Sequence, residues 1–131
     1  MTHEEAIIYF FEKMDIFYID KFIDVNICQY IEKYQFMQYL NEAFDEMKNR
    51  GNTCLGFWPD INKDNKPNHK SYCFIGNRDK SFIEILLEFD AITKQVINIC
   101  ETTNIDYKEG YVPENRKKIL ILPFNLNIFN E

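Results

Sequence analysis

The chain of 131 residues has the size of one domain, and its hydrophobic share of 46% with an aromatic share of 16% is sufficient for a core. This composition excludes an intrinsically disordered chain. The net charge of −6 argues against nonspecific binding to nucleic acid or anionic lipid, because phosphate contacts need clustered Lys and Arg.

Two segments with helical periodicity open the chain. Thr2 and Glu5 have the spacing of a capping box, which gives partners to two backbone donors at the start of a helix. Apolar residues then recur at helical spacing at Ile7, Phe10, Phe11 and Met14. A second short helix is predicted over residues 15–24, with its inward face formed by Ile16, Ile19, Phe22 and Ile23.

The third helix has the strongest signature. Its apolar face repeats every 3.6 residues and consists of Phe36, Leu40, Ala43, Phe44 and Met47. Lys48 and Arg50 complement the helix dipole at the C-terminal end, and Gly51 can adopt the left-handed conformation that ends a helix. Residues 27–33, which precede this helix, are compatible with a short strand.

After Gly51 the apolar period changes to two. Strands are predicted over residues 53–58, 70–76, 81–89 and 95–101. In the third strand, apolar residues on one face alternate with Glu84 and Glu88 on the other. Turn residues occupy positions 76–79 and 90–94, so neighbouring strands are expected to pair as an antiparallel meander.

The chain continues with a charged hinge, residues 104–118, and an apolar tail, residues 119–129. Alternation places one apolar stripe on the tail, formed by Leu120, Leu122, Phe124, Leu126 and Ile128. Each of these side chains gains about 1.5–3 kcal/mol on burial, so the tail is expected to cover its own sheet or to reach a second subunit. Pro123 limits any strand here to an edge or a cover. We expect a homodimer with the tail at or near the interface.

Neither end of the chain resembles a membrane or export signal. The tail is interrupted by Pro123, Asn125 and Asn127 and is too short to span a bilayer. The N-terminal residues are acidic, whereas a signal peptide needs positive charge there. The sequence therefore predicts a cytoplasmic protein that does not bind membranes.

Helices followed by strands predict an α+β fold, a cone in which N-terminal helices pack against a curved antiparallel sheet. Residues 14–24, 36–44, 51–53, 72–77, 85–89 and 96–101 resemble segments of small bacterial members of the nuclear transport factor 2-like, SnoaL-like superfamily. The resemblance implies a cystatin-like cone domain over residues 1–104. Residues 105–131 would then be the hinge and tail of the same domain or of its dimer interface. The resemblance also implies that the chain forms a homodimer, because members of the superfamily commonly dimerise through their sheets.

The superfamily includes isomerases, dehydratases and non-catalytic members, so the resemblance does not determine an activity. Its enzymes use an Asp, His or Tyr inside the cone. Asp20, Asp24 and Tyr18 lie near the bend after the first helix, where the mouth of a cone would open. A carboxylate beside apolar walls can act as a base, with a nearby Tyr as proton donor. Alternatively, the two Asp residues flank a short helix.

The sheet offers further polar candidates, namely Tyr72, Asn98 and Glu101. Asn98 shares a strand face with Val96 and Cys100, so its amide either enters a ligand pocket or faces solvent or a dimer partner. Tyr72 and Asn98 are the candidate ligand-pocket residues.

Metal and nucleophile motifs do not match. Asp60, Asn62 and Asp64 imitate the first ligands of a calcium loop, but the positions that require Gly and Glu hold Asn65 and Ser71. The spacing of Cys54, His69, Cys73 and Cys100 fits no common zinc module. All four cysteines, including Cys28, are expected to behave as small hydrophobes. We predict no metal and no cofactor. His3, near the terminus, and His69, in a loop, are poorly placed as general bases.

These features favour a non-catalytic domain that binds a small apolar ligand or a protein partner. The alternatives are an isomerase or dehydratase that uses an Asp and a Tyr in the cone, and an immunity-type partner protein. If the chain is an enzyme, a buried carboxylate or His should face a pocket. If it is a binding domain, the pocket should be lined by apolar and neutral groups. If it is an interaction protein, its surface should expose an apolar patch.

Overall fold

The computed structural model describes residues 2–21, 31–59, 66–101 and 117–122. These ranges contain three helices followed by four strands, in the order α1 (His3–Glu12), α2 (Ile16–Lys21), α3 (Lys33–Asn49), β1 (Leu55–Pro59), β2 (His69–Gly76), β3 (Phe82–Phe89) and β4 (Val96–Glu101). Helices pack on an antiparallel sheet, so the predicted α+β class is confirmed. In these ranges no helix is long and apolar enough to cross a membrane.

The first two helices begin where local side chains provide caps. The Glu5 N–H donates to Oγ1 of Thr2 at 3.1 Å, as the capping box predicts. The Phe17 N–H donates to Oδ1 of Asp15 at 3.1 Å at the start of α2. Residues 22–24, the predicted end of that segment, lie outside the described ranges.

Helix α3 confirms the predicted apolar face and the predicted end. Its buried residues are Phe36, Met37, Leu40, Ala43, Phe44 and Met47. Gly51 has φ +90°, its N–H donates to the Lys48 carbonyl, and the Asn52 N–H donates to the Met47 carbonyl. These two bonds form a Schellman motif, which satisfies the last carbonyls of the helix. The strand predicted for residues 27–33 is wrong at its end, because Lys33 begins α3.

The sheet has the order β1-β2-β3-β4 with all neighbours antiparallel, so the predicted meander is confirmed. Its helix face is formed by Tyr72, Phe74, Ile83, Ile85 and Leu87. Phe11 of α1 joins this face to α3, because its ring stacks on Phe74 at 4.7 Å between centroids and contacts Phe44 edge-on at 5.5 Å. The core therefore lies between α1, α3 and the middle strands.

The far face of the sheet, which includes Ser71, Cys73, Glu84 and Leu86, is also covered in the middle. Glu84 occupies this face as the alternation predicts, yet it is only 1% exposed. Lys118 Nζ lies 3.1 Å from its Oε1. A buried carboxylate needs such a partner, because desolvation of an isolated charge is costly.

Residues 117–122 of the hinge and tail pack on their own chain. The Phe82 N–H donates to the Lys117 carbonyl at 2.9 Å, and the Ile119 N–H donates to the Phe82 carbonyl at 2.8 Å. The N–H groups of Ile121 and Leu122 donate to the two carboxylate oxygens of Glu101 at 2.6 and 3.0 Å. This segment thus continues the sheet where β4 leaves β3.

The predicted tail stripe is wrong at Leu120. Leu120 is 43% exposed, whereas Ile119, Ile121 and Leu122 are buried. The alternation breaks because two consecutive N–H groups turn toward the Glu101 carboxylate, so Ile121 and Leu122 cannot lie on opposite faces of a regular strand. The other members of the stripe, Phe124, Leu126 and Ile128, lie outside the described ranges.

Candidate functional site

A cleft of about 370 Å³ lies where the start of α1 meets one end of the sheet. Its walls come from the first turn of α1, the start of β2, the end of β3 and the β3–β4 turn. We call it the α1 cleft; it is lined by Thr2, Glu4, Asn68, His69, Lys70, Phe89 and Lys94. Its volume is within the range of small-molecule sites.

The imidazole of His3 anchors α1 to the sheet beside this cleft. The Val96 N–H donates to His3 Nδ1 at 2.7 Å. Nδ1 must therefore be unprotonated, because a ring nitrogen that carries a proton cannot accept. From the sequence, His3 is predicted to be poorly placed as a general base; in the structure its side chain positions the first turn of α1 against β4.

A carboxylate bridges helix and sheet in the wall of the cleft. The hydroxyl of Tyr72 donates to the Glu4 carboxylate, and Lys70 Nζ lies 3.1 Å from the same carboxylate. Lys70 Nζ is also 5.8 Å from the ring centroid of Phe89, which is a cation–π distance. Glu4 of α1 thus forms one polar cluster with Tyr72 and Lys70 of β2, and this cluster lies against the ring of Phe89 at the end of β3.

The backbone that frames the cleft has unusual geometry. Asn68 and Lys94 adopt left-handed φ values of 65° and 62°. The register between β3 and β4 shifts at Phe89, whose N–H donates to the Asn68 carbonyl at 2.8 Å. Bulges and left-handed non-glycine residues concentrate at functional sites, because they re-aim side chains at an energetic cost.

The β3–β4 turn that carries Lys94 is held by Asp90. Its Oδ1 accepts the N–H groups of Ile92 at 2.9 Å and Thr93 at 2.8 Å. The N–H groups of Thr93 and Ile92 lower the pKa of the Asp90 carboxyl, because they stabilise its charged form. The turn that carries Lys94 is therefore fixed by its own side-chain hydrogen bonds.

The predicted pocket residue Tyr72 lies below the cleft and is only 2% exposed. It contributes through Glu4 rather than by lining the cavity. Asn98, the other predicted pocket residue, does not line the cleft: it opposes Glu88 in register and its Nδ2 donates to Cys100 Sγ at 3.2 Å. Glu101, a polar candidate of the sheet, holds the backbone of the tail.

The predicted catalytic group falls outside what the structure describes. Asp24 lies outside the described ranges, and so do the side chains of Tyr18 and Asp20, whose backbone belongs to α2. The calcium-like residues 60–64 and Cys28 are likewise outside.

The remaining cysteines do not form a metal site in residues 2–21, 31–59, 66–101 and 117–122. Cys54, Cys73 and Cys100 are free thiols, and Cys73 is buried as expected of a small hydrophobe. No group of three or more His, Cys, Asp or Glu in those ranges could hold a metal ion. His69 Nε2 lies 3.6 Å from Glu88, an ion pair when the ring is protonated.

Sequence patterns do not identify Glu4, Lys70, Phe89 or Lys94 as site residues. One signal was present, because the period of two places Lys70 on the same strand face as Tyr72 and Phe74, where a charge is an exception. The other three residues are distant in sequence, and only the fold brings them together.

A comparison of the chain with known protein families, curated proteins and solved structures finds no significant match. Membership in the nuclear transport factor 2-like superfamily therefore stays a prediction.

Proposed function

We propose that this chain is a non-catalytic domain that binds a small molecule in the α1 cleft, with the cleft at the mouth of a cystatin-like cone of the nuclear transport factor 2-like type. The volume of about 370 Å³ supports this proposal, because small-molecule sites start at this size. The lining combines an aromatic side chain, Phe89, with a few polar groups, which is the usual composition of such sites.

The contact that carries the proposal is the Glu4 carboxylate, which binds both the Tyr72 hydroxyl and Lys70 Nζ. These contacts fix the polar groups of the cleft in place before any ligand arrives. Preorganisation of this kind lowers the entropic cost of binding. The lining also differs from the apolar and neutral pocket that the sequence predicted, since Glu4, Lys70 and Lys94 carry charges.

Binding without chemistry is favoured by the state of the phenol–carboxylate pair. An isomerase or dehydratase needs a proton donor and a base that both reach the substrate. The Tyr72 hydroxyl donates to Glu4, and its side chain is almost fully buried. Tyr72 therefore supports the cleft and does not present a proton to it. Two acid–base groups that do line the cleft, Glu4 and His69, lie against Lys70 and Glu88.

Amide NMR spectra of the full chain, titrated with phenylbutanol, phenylbutyrate and phenylbutylamine, test this function. At least one of the three probes should shift the backbone amides of Asn68, Lys70, Phe89 and Lys94 in a saturable way. The amide of Ile92, in the same turn but with a 91% exposed side chain outside the cleft, is the internal control. If no probe gives saturable shifts at the cleft up to about 10 mM, weaker than any useful affinity, the proposal fails.

We also propose that the chain forms a homodimer through β1. In the described part of the chain, β1 hydrogen-bonds to a neighbouring strand on one side only. Phe57 is exposed on this strand, and the outer edge of a sheet invites pairing with another chain. Because residues 117–122 of the tail pack on their own chain, β1 is better supported than the tail as the dimer interface.

Gly56→Lys tests the dimer at little structural cost, because a Cβ at Gly56 meets nothing within 4 Å. The added charge on the edge strand should shift the mass, measured by light scattering after size exclusion, from dimer to monomer. The control is Ile92→Lys, which adds the same charge at an exposed apolar site away from β1. A wild-type chain that is monomeric, or a Gly56→Lys dimer of unchanged affinity, contradicts the interface.

A further inference from the structure

We propose that the ligand of the α1 cleft is an organic acid, with its anionic group between Lys70 and Lys94 and its apolar part over Phe89. This inference rests on the proposed binding function and names the chemical class of its ligand. It replaces the apolar ligand expected from the sequence.

The charge of the cleft is opposite to the charge of the chain. Two ammonium groups, Lys70 and Lys94, and one carboxylate, Glu4, line it, which gives a local charge of +1. The chain as a whole has 21 acidic against 15 basic residues, a net charge of −6. A positive cleft on an acidic surface attracts anions locally, while the rest of the surface repels them.

The single carboxylate of the cleft is already engaged. Glu4 binds the Tyr72 hydroxyl and Lys70 Nζ, so a cationic ligand at Glu4 would lie beside the Lys70 ammonium group and be repelled by it. Lys70 itself has donors to spare, because an ammonium group carries three N–H bonds. An incoming carboxylate can therefore share Lys70 with Glu4, whereas an incoming amine competes with it.

Of the two lysines that line the cleft, Lys94 is the one without a direct ion pair in the described part of the chain. Among the described residues it makes no ion pair within 4.0 Å. The carboxylate nearest to it in the turn, Asp90, accepts the N–H groups of Ile92 and Thr93. The Asp90 carboxylate therefore attracts the Lys94 ammonium group without pairing with it directly, and a ligand anion in the cleft can make the direct contact.

Phe89 indicates where the apolar part of the ligand lies in the cleft. This residue ends β3 on the helix face and lines the cleft beneath Lys70 Nζ. An aromatic ring or short alkyl chain can lie on Phe89 while an acid group at its end reaches the lysines. The arrangement fits a molecule that is apolar at one end and anionic at the other.

Three probes of equal length separate charge from shape. Phenylbutyrate should bind about tenfold more tightly than phenylbutanol at low ionic strength, because two partly exposed ammonium groups each contribute modestly. Phenylbutylamine should bind more weakly than the alcohol. High salt should reduce the preference for the acid, because it screens exposed charges.

Lys94→Gln should weaken phenylbutyrate about three- to fivefold and leave phenylbutanol unchanged, because it removes one charge and keeps the stem of the side chain. Lys80→Gln is the matched control: Lys80 is an exposed lysine with φ 63° in the β2–β3 turn, at the opposite end of the sheet. Its removal should change neither affinity.

Each of the following outcomes would overturn a stated part of the proposal. Equal binding of acid and alcohol overturns the anionic class and leaves the binding function intact. Tighter binding of the amine overturns it in favour of a cation at Glu4. An equal loss of acid affinity in Lys94→Gln and Lys80→Gln overturns the assignment to the cleft lysines. Failure of all three probes to bind refutes the binding function itself, and with it this inference.

Discussion

Gly76→Ala should lower the free energy of unfolding, by an amount set by the hydrogen bonds of the Asn52 side chain. The Asn52 side chain is 2% exposed and joins the end of α3 to the β2–β3 hairpin. Its Nδ2 donates to the Met47 carbonyl at 2.9 Å and to Oδ1 of Asp79 at 3.0 Å, and its Oδ1 accepts the Arg78 N–H at 2.8 Å. This amide thus links the end of α3 to the β2–β3 hairpin.

A Cβ at Gly76 would lie 2.3 Å from Asn52 Oδ1 and 2.4 Å from its Cγ, much closer than a van der Waals contact. The Asn52 amide cannot rotate away without losing hydrogen bonds, because both of its ends are held. The substitution therefore breaks at least two bonds, each contributing about 1 kcal/mol, and leaves the Met47 carbonyl without its side-chain partner. We expect a loss of about 3 kcal/mol in the free energy of unfolding.

A double-mutant cycle isolates this mechanism. Asn52→Ala alone should also cost about 3 kcal/mol, because it loses the same bonds. Gly76→Ala in the Asn52→Ala background should cost less than about 0.5 kcal/mol, since the clash no longer exists and alanine loses less backbone entropy than glycine. The assay is urea unfolding followed by circular dichroism. Gly56→Ala, whose Cβ meets nothing within 4 Å, is the control for a strand glycine.

Additive effects of Gly76→Ala and Asn52→Ala would refute the reasoning, because they would show that the two positions do not compete for the same space. A wild-type-like free energy for Gly76→Ala would refute it equally, since it would mean that the hairpin shifts without loss of the Asn52 bonds.

Three further predictions concern the same fold. The side-chain hydroxyl and backbone N–H of Ser81 hold the pKa of the Asp79 carboxyl well below its ordinary value. The ionised Asp79 carboxylate therefore stabilises the fold above about pH 4, and this stabilisation declines as the pH falls below that value. The difference in free energy of unfolding between wild type and Asp79→Asn should accordingly shrink from pH 7 to about pH 2. Glu101→Gln should cost about 1.5–3 kcal/mol and accelerate amide exchange in the tail, because a single amide oxygen replaces two acceptors of backbone N–H groups; unchanged exchange would contradict this role. Removal of residues 119–131 should lower the melting temperature or cause aggregation, since Ile119 and Ile121 leave the core; an equally stable, soluble truncated chain would show that the tail is dispensable.

Most secondary structure followed from signals that act within a few residues. The Thr2 cap, the left-handed Gly51 and the turns after β2 and β3 each depend on neighbours along the chain, so their positions were predictable to within one or two residues. The apolar periods likewise predicted the faces of α3 and β3.

Positions that depend on distant partners were not predictable in this way. The alternation of the tail fails at Leu120 because Glu101, about twenty residues earlier, binds two consecutive N–H groups. Burial of Glu84 depends on Lys118, which the period of two does not reveal. The α1 cleft is the strongest example, since residues 2–4 meet residues 68–70, 89 and 94 only after the sheet has formed.

The contacts that build the α1 cleft are also the contacts that attach α1 to the sheet. His3 accepts the Val96 N–H, and Glu4 binds Tyr72 and Lys70, all within the first turn of the helix. A molecule that binds this cleft therefore binds the attached state and not the detached one. By mass action it stabilises the folded chain, by about 1.4 kcal/mol when its concentration is ten times its dissociation constant. Helix docking and ligand binding thus depend on one set of side chains, and each strengthens the other.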